Sequence, residues 1–310
     1  LLIVDGLKVD NIQYLDPSMI ESMEVEKVHY LGLLKSVLGY VDTENYTYGE
    51  LFNEINANTG GINCGVEVFD RADSTEEFQA MFSVRGKALY TKMDFLFKMI
   101  GEILNSSKLE DTKRLYEIVA SVKSRAQVNL TGAGHSTAVL RAAAYSSPMA
   151  AFQDEMAGIG YYQFIEKLEK DFEQRKEETV EELCKLMKKI LRPENFMISY
   201  TGERESLETV KKLAASVKAG LCTEPVEKSQ EKLICVKKNE GFKTSGQVQY
   251  VAQTGNFRKK GYEYTGALNI LKVALSYDYL WINIRVKGGA YGCMSGIGRS
   301  GEGYFVSYRD

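Results

Sequence analysis

From Lys87 to Ile190 apolar residues recur at helical spacing through a series of helices, and on either side of this run the spacing changes to strands that come in pairs. No other feature constrains the fold as strongly. A parallel sheet needs strand and helix in alternation, whereas paired strands beside long helices suit antiparallel sheets with helices packed on them, the α+β class. Before the run, residues 45–56 put Leu51, Phe52 and Ile55 on one helical stripe. T-G-G-I-N-C-G-V-E-V-F and F-Q-A-M-F-S-V-R-G then alternate as strands. Leu89, Met93, Phe97 and Ile100 mark the first helix of the run, and residues 110–130 form a longer amphipathic one.

Arg192-Pro193 breaks the helical pattern. Beyond it, residues 195–202 read as strand, 206–217 as helix, 218–230 as a polar loop, and 232–236 and 247–254 as strands. A helix is expected from Tyr262 to Val286, its Leu268, Leu271, Leu275, Tyr279, Ile282 and Val286 forming a face for a sheet. Two strand-like stretches, A-Y-G-C-M-S-G-I-G and G-Y-F-V-S-Y-R-D, close the chain. The expectation is two domains, 1–192 and 193–310, in keeping with ~150 residues per domain. Each is read as a mostly antiparallel sheet with helices on one face. The last strand has no covering helix after it and L-L-I-V-D-G opens like mid-protein sequence, so the second domain reads as truncated and the chain as a fragment.

Bulk properties exclude several functions. With net charge −3 and pI near 5.7 there is no electrostatic footprint for nucleic acid. No apolar run approaches the ~20 residues of a membrane span. Five cysteines without a C-x-x-C pair argue for reduced thiols. A soluble protein of the cytoplasm or an organelle matrix is expected, cytoplasmic if bacterial.

Most motif-like strings have a plainer reading. Gly296-Ile297-Gly298-Arg299-Ser300-Gly301 spells G-x-G-x-x-G, but strand rather than helix follows it, so a hairpin turn is expected instead of a pyrophosphate site. In G-A-G-H-S-T, Gly132 and Gly134 suit a break between helices, Ser136 or Thr137 sits near a cap, and His135 is a half-buried junction residue. A catalytic zinc needs about three protein ligands, and the only two histidines, His29 and His135, lie far apart without acidic partners at helical spacing.

That leaves R-V-K-G-G-A-Y-G, residues 285–292. Arg285 and Lys287 suit a helix C-terminus, with Gly288 as the residue that ends it. This accounts for the cations and glycines but not for Tyr291. If the chain reverses into a strand after the turn, Arg285 and Tyr291 can face one cleft. A guanidinium and a phenol would then supply donors for a peptide carbonyl or a developing oxyanion.

Three stretches, Y-G-E-L-F-N-E-I-N-A-N-T-G-G-I (48–62), G-H-S-T-A-V-L-R-A-A-A-Y (134–145) and D-Y-L-W-I-N-I-R-V-K-G-G-A-Y-G (278–292), resemble the C-terminal half of a pitrilysin/insulinase-family zinc metallopeptidase of the presequence-protease-like branch. The resemblance covers nearly the whole chain after about residue 25. It implies a hinged clamshell of four related α+β domains, metalloprotease/LuxS-like, of which this chain holds the third and most of the fourth. The family's H-x-x-E-H zinc motif and a further glutamate belong to the first domain. At the corresponding helix, Y-L-G-L-L-K-S-V-L-G (30–39), this sequence has apolar residues and a lysine, so no zinc ligand carries over.

What carries over is Arg285 and Tyr291, whose family role is to reach the substrate backbone near the scissile bond. The resemblance thus implies the substrate-binding half of an ATP-independent oligopeptidase for unstructured peptides. Zinc and the general base would reside in an N-terminal catalytic half. The isolated chain is expected to bind peptide weakly, hold no stoichiometric zinc and cleave nothing. The alternative is a scaffold or processing-complex subunit of the same fold.

Overall fold

The computed structural model describes residues 2–3, 25–71, 73–225, 235, 237–244 and 246–310. Its contacts divide into two compact units that interleave along the sequence. The first comprises Leu1–Glu67, Ala80–Ala120 and Leu168–Glu231, the second Val68–Gln79, Ser121–Lys167 and Lys232–Asp310. Residues 192 and 193 both lie within the first unit. The expected strand at 232–236 falls almost entirely outside the described residues.

The elements of the first unit follow local sequence closely. A two-residue strand β1 (Leu2–Ile3) is followed by helices α1 (Val25–Val37) and α2 (Tyr48–Asn58). Thr47 starts α2 with a capping box, its hydroxyl accepting from Glu50 N while the Glu50 carboxylate accepts from Thr47 N. Strands β2 (Ile62–Asp70) and β3 (Phe78–Gly86) pair as a hairpin and lead to α3 (Met93–Ser106). The next helices are α4 (Thr112–Gly132), α5 (Gly134–Ala143), α6 (Pro148–Ala157), α7 (Ile159–Lys170) and α8 (Phe172–Ile190). Strand β4 (Ser199–Tyr200) pairs parallel with β1, and α9 (Leu207–Ala219) packs on α3. The strand expected over 195–202 thus shrinks to two residues.

The core of this unit includes Leu31, Leu34, Val37, Leu51, Met99, Ile103, Leu115 and Leu183, all buried. Each such side chain contributes roughly 1.5–3 kcal/mol relative to exposure. The buried stripes are narrower than expected. On α2, Leu51 and Ile55 face inward while Phe52 is 55% exposed. On α3 the inner face is Leu96, Met99 and Ile103, whereas Leu89 is 75% exposed. Leu89 lies before a 3-10 turn (Tyr90–Lys92), so the α-helical phase starts only after it.

The second unit is built around an antiparallel sheet in the order β5 (Tyr250–Asn256), β7 (Glu302–Tyr308), β6 (Gly292–Ile297). The class is α+β, and helices cover both faces of this sheet rather than one. Register puts Tyr250, Tyr308 and Val306 on the side of α5, while Ser295 of β6 hydrogen-bonds Ser276 on the opposite side. Ser276 belongs to the long C-terminal helix, which begins as α10 (Ala267–Ala274) and continues as a π-helical segment, Leu275–Val286.

This widening overturns the expected apolar face. In π geometry Lys287 N bonds back to Ile282 O rather than to the carbonyl four residues before, so residues at steps of three and four drift off one line. Leu280 is buried, and Leu275, Ser276 and Ile284 are half-buried. Leu271, Tyr279, Ile282 and Val286 are exposed.

Two glycine readings resolve in the same region. The turn from Gly298 to Gly301 is a hairpin: Gly298 N donates to Glu302 O, and Gly301 takes the left-handed φ of +95°. At the helix end the left-handed residue is Gly289, φ +85°, not Gly288. Gly288 is needed for space, since a Cβ there would lie 2.5 Å from the Ile284 carbonyl oxygen.

Candidate functional site

The turn at Gly289 sends the chain back along the helix it has just left. Gly289 N donates to Arg285 O at 3.0 Å, Ala290 N to Ile284 O at 3.2 Å, and Tyr291 N to Arg309 O at 3.3 Å. Tyr291 therefore stands between the last turn of the π-helix and the end of β7. Next to it, Gly292 is opposite Tyr308 in register, and a Cβ at Gly292 would come within 2.3 Å of the Tyr308 ring. The glycine lets that ring cross the strand.

Arg285 and Tyr291 come together. The Arg285 guanidinium carbon is 5.3 Å from the Tyr291 ring centroid and 4.6 Å from that of Trp281, one helical turn earlier. Arg309 lies over the same tyrosine at 5.7 Å. Tyr291 meets Tyr308 edge-on at 5.6 Å, and Tyr308 meets the His135 ring at 5.1 Å. The result is a row of rings and guanidinium groups along one end of the sheet. Each exposed cation–π contact is worth ~0.5–1 kcal/mol, enough to orient the side chains without locking them.

The chemistry of the pair follows from what it lacks. Among the described residues no carboxylate pairs with Arg285, and no hydrogen bond engages the Tyr291 hydroxyl. Tyr291 is 58% exposed. Stacking leaves the guanidinium edge and the phenol free to donate, and both suit a carbonyl oxygen. Burial pushes the nearby Cys293 thiol up, with Arg285 pulling it partly back, so that sulfur is a poor nucleophile.

Sequence reasoning missed Trp281, Tyr308 and Arg309. Trp281 had a signal, being four residues before Arg285 on one helix. Tyr308 and Arg309 depend on strand register. His135 is half-buried at the α4–α5 junction, as read, but its ring also joins the row beside Tyr308. Neither Ser136 nor Thr137 caps α5, whose N-cap is Ala133 with no side-chain bond.

A zinc site does not fit the described residues, which contain no group of three or more His, Cys, Asp or Glu able to hold a metal ion. On α1, Leu31 and Leu34 are buried, and burial lowers the ammonium pKa of Lys35 between them and Val37. No helix among these residues is long and apolar enough to cross a membrane.

Comparison with known proteins places this geometry. The fold is similar to a conserved protein from Enterococcus faecalis V583 (TM-score 0.60, 13% identity, 93% of this chain and 68% of that one). It is also similar to the periplasmic protease PqqL from Escherichia coli (TM-score 0.52, 13% identity, 93% and 30%). These are M16-like α+β proteins, and that is the class of this fold. More particularly, the chain belongs to the family of peptidase M16, subfamily C, associated regions, which matches residues 9–168, and residues 239–310 match the PreP C-terminal domain.

In sequence the chain is 37% identical to protein HypA of Clostridium perfringens over 93% of its length, and 27% identical to presequence protease 1 of Arabidopsis thaliana over 94%. It spans 30% and 27% of those two proteins, respectively. M16 peptidases are in general zinc metallopeptidases.

Proposed function

We propose that this chain is the substrate-binding, non-zinc part of an ATP-independent metallopeptidase that degrades unstructured peptides within a closed chamber. Its partner is an N-terminal catalytic half that carries the zinc, and its compartment is the cytoplasm or an organelle matrix. In this reading residues 1–192 and 193–310 descend from the third and fourth related domains of the whole protein, whatever their packing units. Arg285 and Tyr291 donate to the peptide backbone carbonyl near the scissile bond. The observation that carries the reading is an exposed tyrosine with an unengaged hydroxyl beside an arginine that has no acidic partner among the described residues.

The test uses the complete protein that contains this segment. Tyr291→Phe removes one hydroxyl and keeps the ring contacts with Tyr308 and Arg285. Turnover of an unstructured peptide should drop ~10²–10³-fold, as when an oxyanion donor is removed, with the melting temperature unchanged. Arg285→Ala should weaken peptide binding as well.

A second reading has its own support. The stacking of Arg285 on Trp281 and Tyr291 serves a helix end in a scaffold equally well. It predicts kinetics unaffected by Tyr291→Phe, and Arg285→Ala costing up to ~1 kcal/mol of stability. Normal turnover in the tyrosine variant decides for the scaffold.

A further inference from the structure

The sheet face toward α5 borders a cleft whose lining includes neither Arg285 nor Tyr291. Its volume is about 370 Å³, within the range of sites that hold small ligands. Val139, Leu140 and Ala143 of α5 form one wall, and Met294, Tyr304 and Val306 of the sheet form the other. Register explains the second wall: Met294 and Val306 are cross-strand partners, and Tyr304 follows on the same face.

Two polar residues of the strands close this apolar space, Asn256 and its cross-strand partner Glu302. They differ in what they still have to offer. Asn256 Oδ1 accepts from Arg258 N and Lys259 N, and its Nδ2 donates to Ser300 O, so its capacity is spent at the β5 end. Glu302 is half-buried, and its carboxylate makes no ion pair or hydrogen bond with a described residue.

The neighbouring cations are committed elsewhere. Lys259 pairs with Glu76 and donates to Ser146 O, and Arg141 pairs with Asp154 and Glu240. Arg299, in the same hairpin turn, forms no ion pair with Glu302. A carboxylate against apolar walls is costly until a cation meets it.

We propose that this cleft is a side-chain subsite for an extended peptide, taking the aliphatic stem of a lysine or arginine between α5 and the sheet and its charged head on Glu302. The walls match the methylene chain, as long cationic side chains bury their stems and keep the head polar. The lone acid matches the head. His135 links the two regions, since it lines the cleft and its ring touches Tyr308, which touches Tyr291. The assignment rests on the peptide-binding reading for its class of ligand, but not on the roles of Arg285 and Tyr291.

The test is fluorescence anisotropy on this chain with two labelled, otherwise uncharged unstructured peptides, one carrying a single lysine and one norleucine at that place. The lysine peptide should bind roughly five- to tenfold more tightly, as one partly screened ion pair allows, and the ratio should shrink with added salt. Glu302→Gln should bring the ratio to about one, and Ala143→Phe should weaken both peptides by filling the cleft, with circular dichroism showing each variant folded. Arg285→Ala should weaken both peptides alike and preserve the ratio; an Arg285→Ala chain that binds normally counts against the Arg285 role and leaves the subsite standing. Equal affinity for the two peptides, a ratio that survives Glu302→Gln, or no binding of the lysine peptide up to about 1 mM overturns the proposal.

Discussion

Asparagine in place of Asp154 should cost the second unit about 3 kcal/mol. The Asp154 carboxylate is 1% exposed. Its Oδ2 accepts from Arg141 Nη1 at 2.7 Å and from Gly160 N at 3.1 Å, and its Oδ1 accepts from Ile159 N at 3.0 Å. In Asp154→Asn the amide oxygen can serve one side only. If it keeps Ile159, the amide N–H groups turn toward the Gly160 amide and the guanidinium, donors facing donors. Losing a charged hydrogen bond costs ~1.5–3 kcal/mol, and stranding the Gly160 N–H ~1–3 kcal/mol. Breaking one side of a buried pair costs ~3–5 kcal/mol in all. The lower end applies because Arg141 keeps Glu240, with Nε at 2.9 Å and Nη2 at 3.3 Å.

The assay is built into the chain. Its single tryptophan, Trp281, lies in the second unit, so fluorescence follows that unit alone during unfolding. At ~2–4 °C per kcal/mol the transition should drop about 6–12 °C. A shift equivalent to less than ~0.5 kcal/mol would refute the reasoning, since that is the range of ordinary surface changes.

Glu240→Gln gives the contrast. Glu240 is 24% exposed in its side chain, and hydrogen bonds from Arg141 and then Tyr145 hold its carboxyl below the ordinary 4.5. A depressed carboxylate adds stability that is complete above pH 4.5 and lost as pH falls through its lower folded value. Asp154 has its own titration in both chains, so the comparison is between them: wild type should lose more stability than Glu240→Gln over that acid range. Identical acid profiles would remove Glu240 from the argument.

Two further outcomes test the backbone and the thiols. Gly288→Ala should destabilise the second unit more than Gly289→Ala, because the first drives Cβ against the fixed Ile284 carbonyl while the second pays only the left-handed backbone, ~1–2 kcal/mol; the reverse order in Trp281-monitored melts would contradict this geometry. Cys64, whose thiol burial pushes up to about 12, should resist alkylation at pH 8 until the chain unfolds, and rapid native labelling would contradict its burial.

Local order was legible in the sequence wherever it depends on neighbours. The α4–α5 break at Gly132-Ala133-Gly134, the helix that follows Thr47, and the hairpin glycines 298 and 301 all follow from interactions a few residues apart, and periodicity records these. The proximity of Arg285 and Tyr291 was legible for the same reason, since one turn joins them. The tertiary structure alone decided the rest. Phe52 and Leu89 have the right chemistry for a core, but only packing selects which side of a helix is covered.

The π geometry of Leu275–Val286 moved the buried line to Leu280 and Ile284, and no local preference announces an i→i+5 ladder that sheet packing stabilises. Register set Gly292 against Tyr308, Met294 against Val306 and Asn256 against Glu302. From those pairings come the ring row that ends on His135 and the cleft beside it. A strand carries its alternation in its own residues, whereas its partner and its register are properties of the folded sheet.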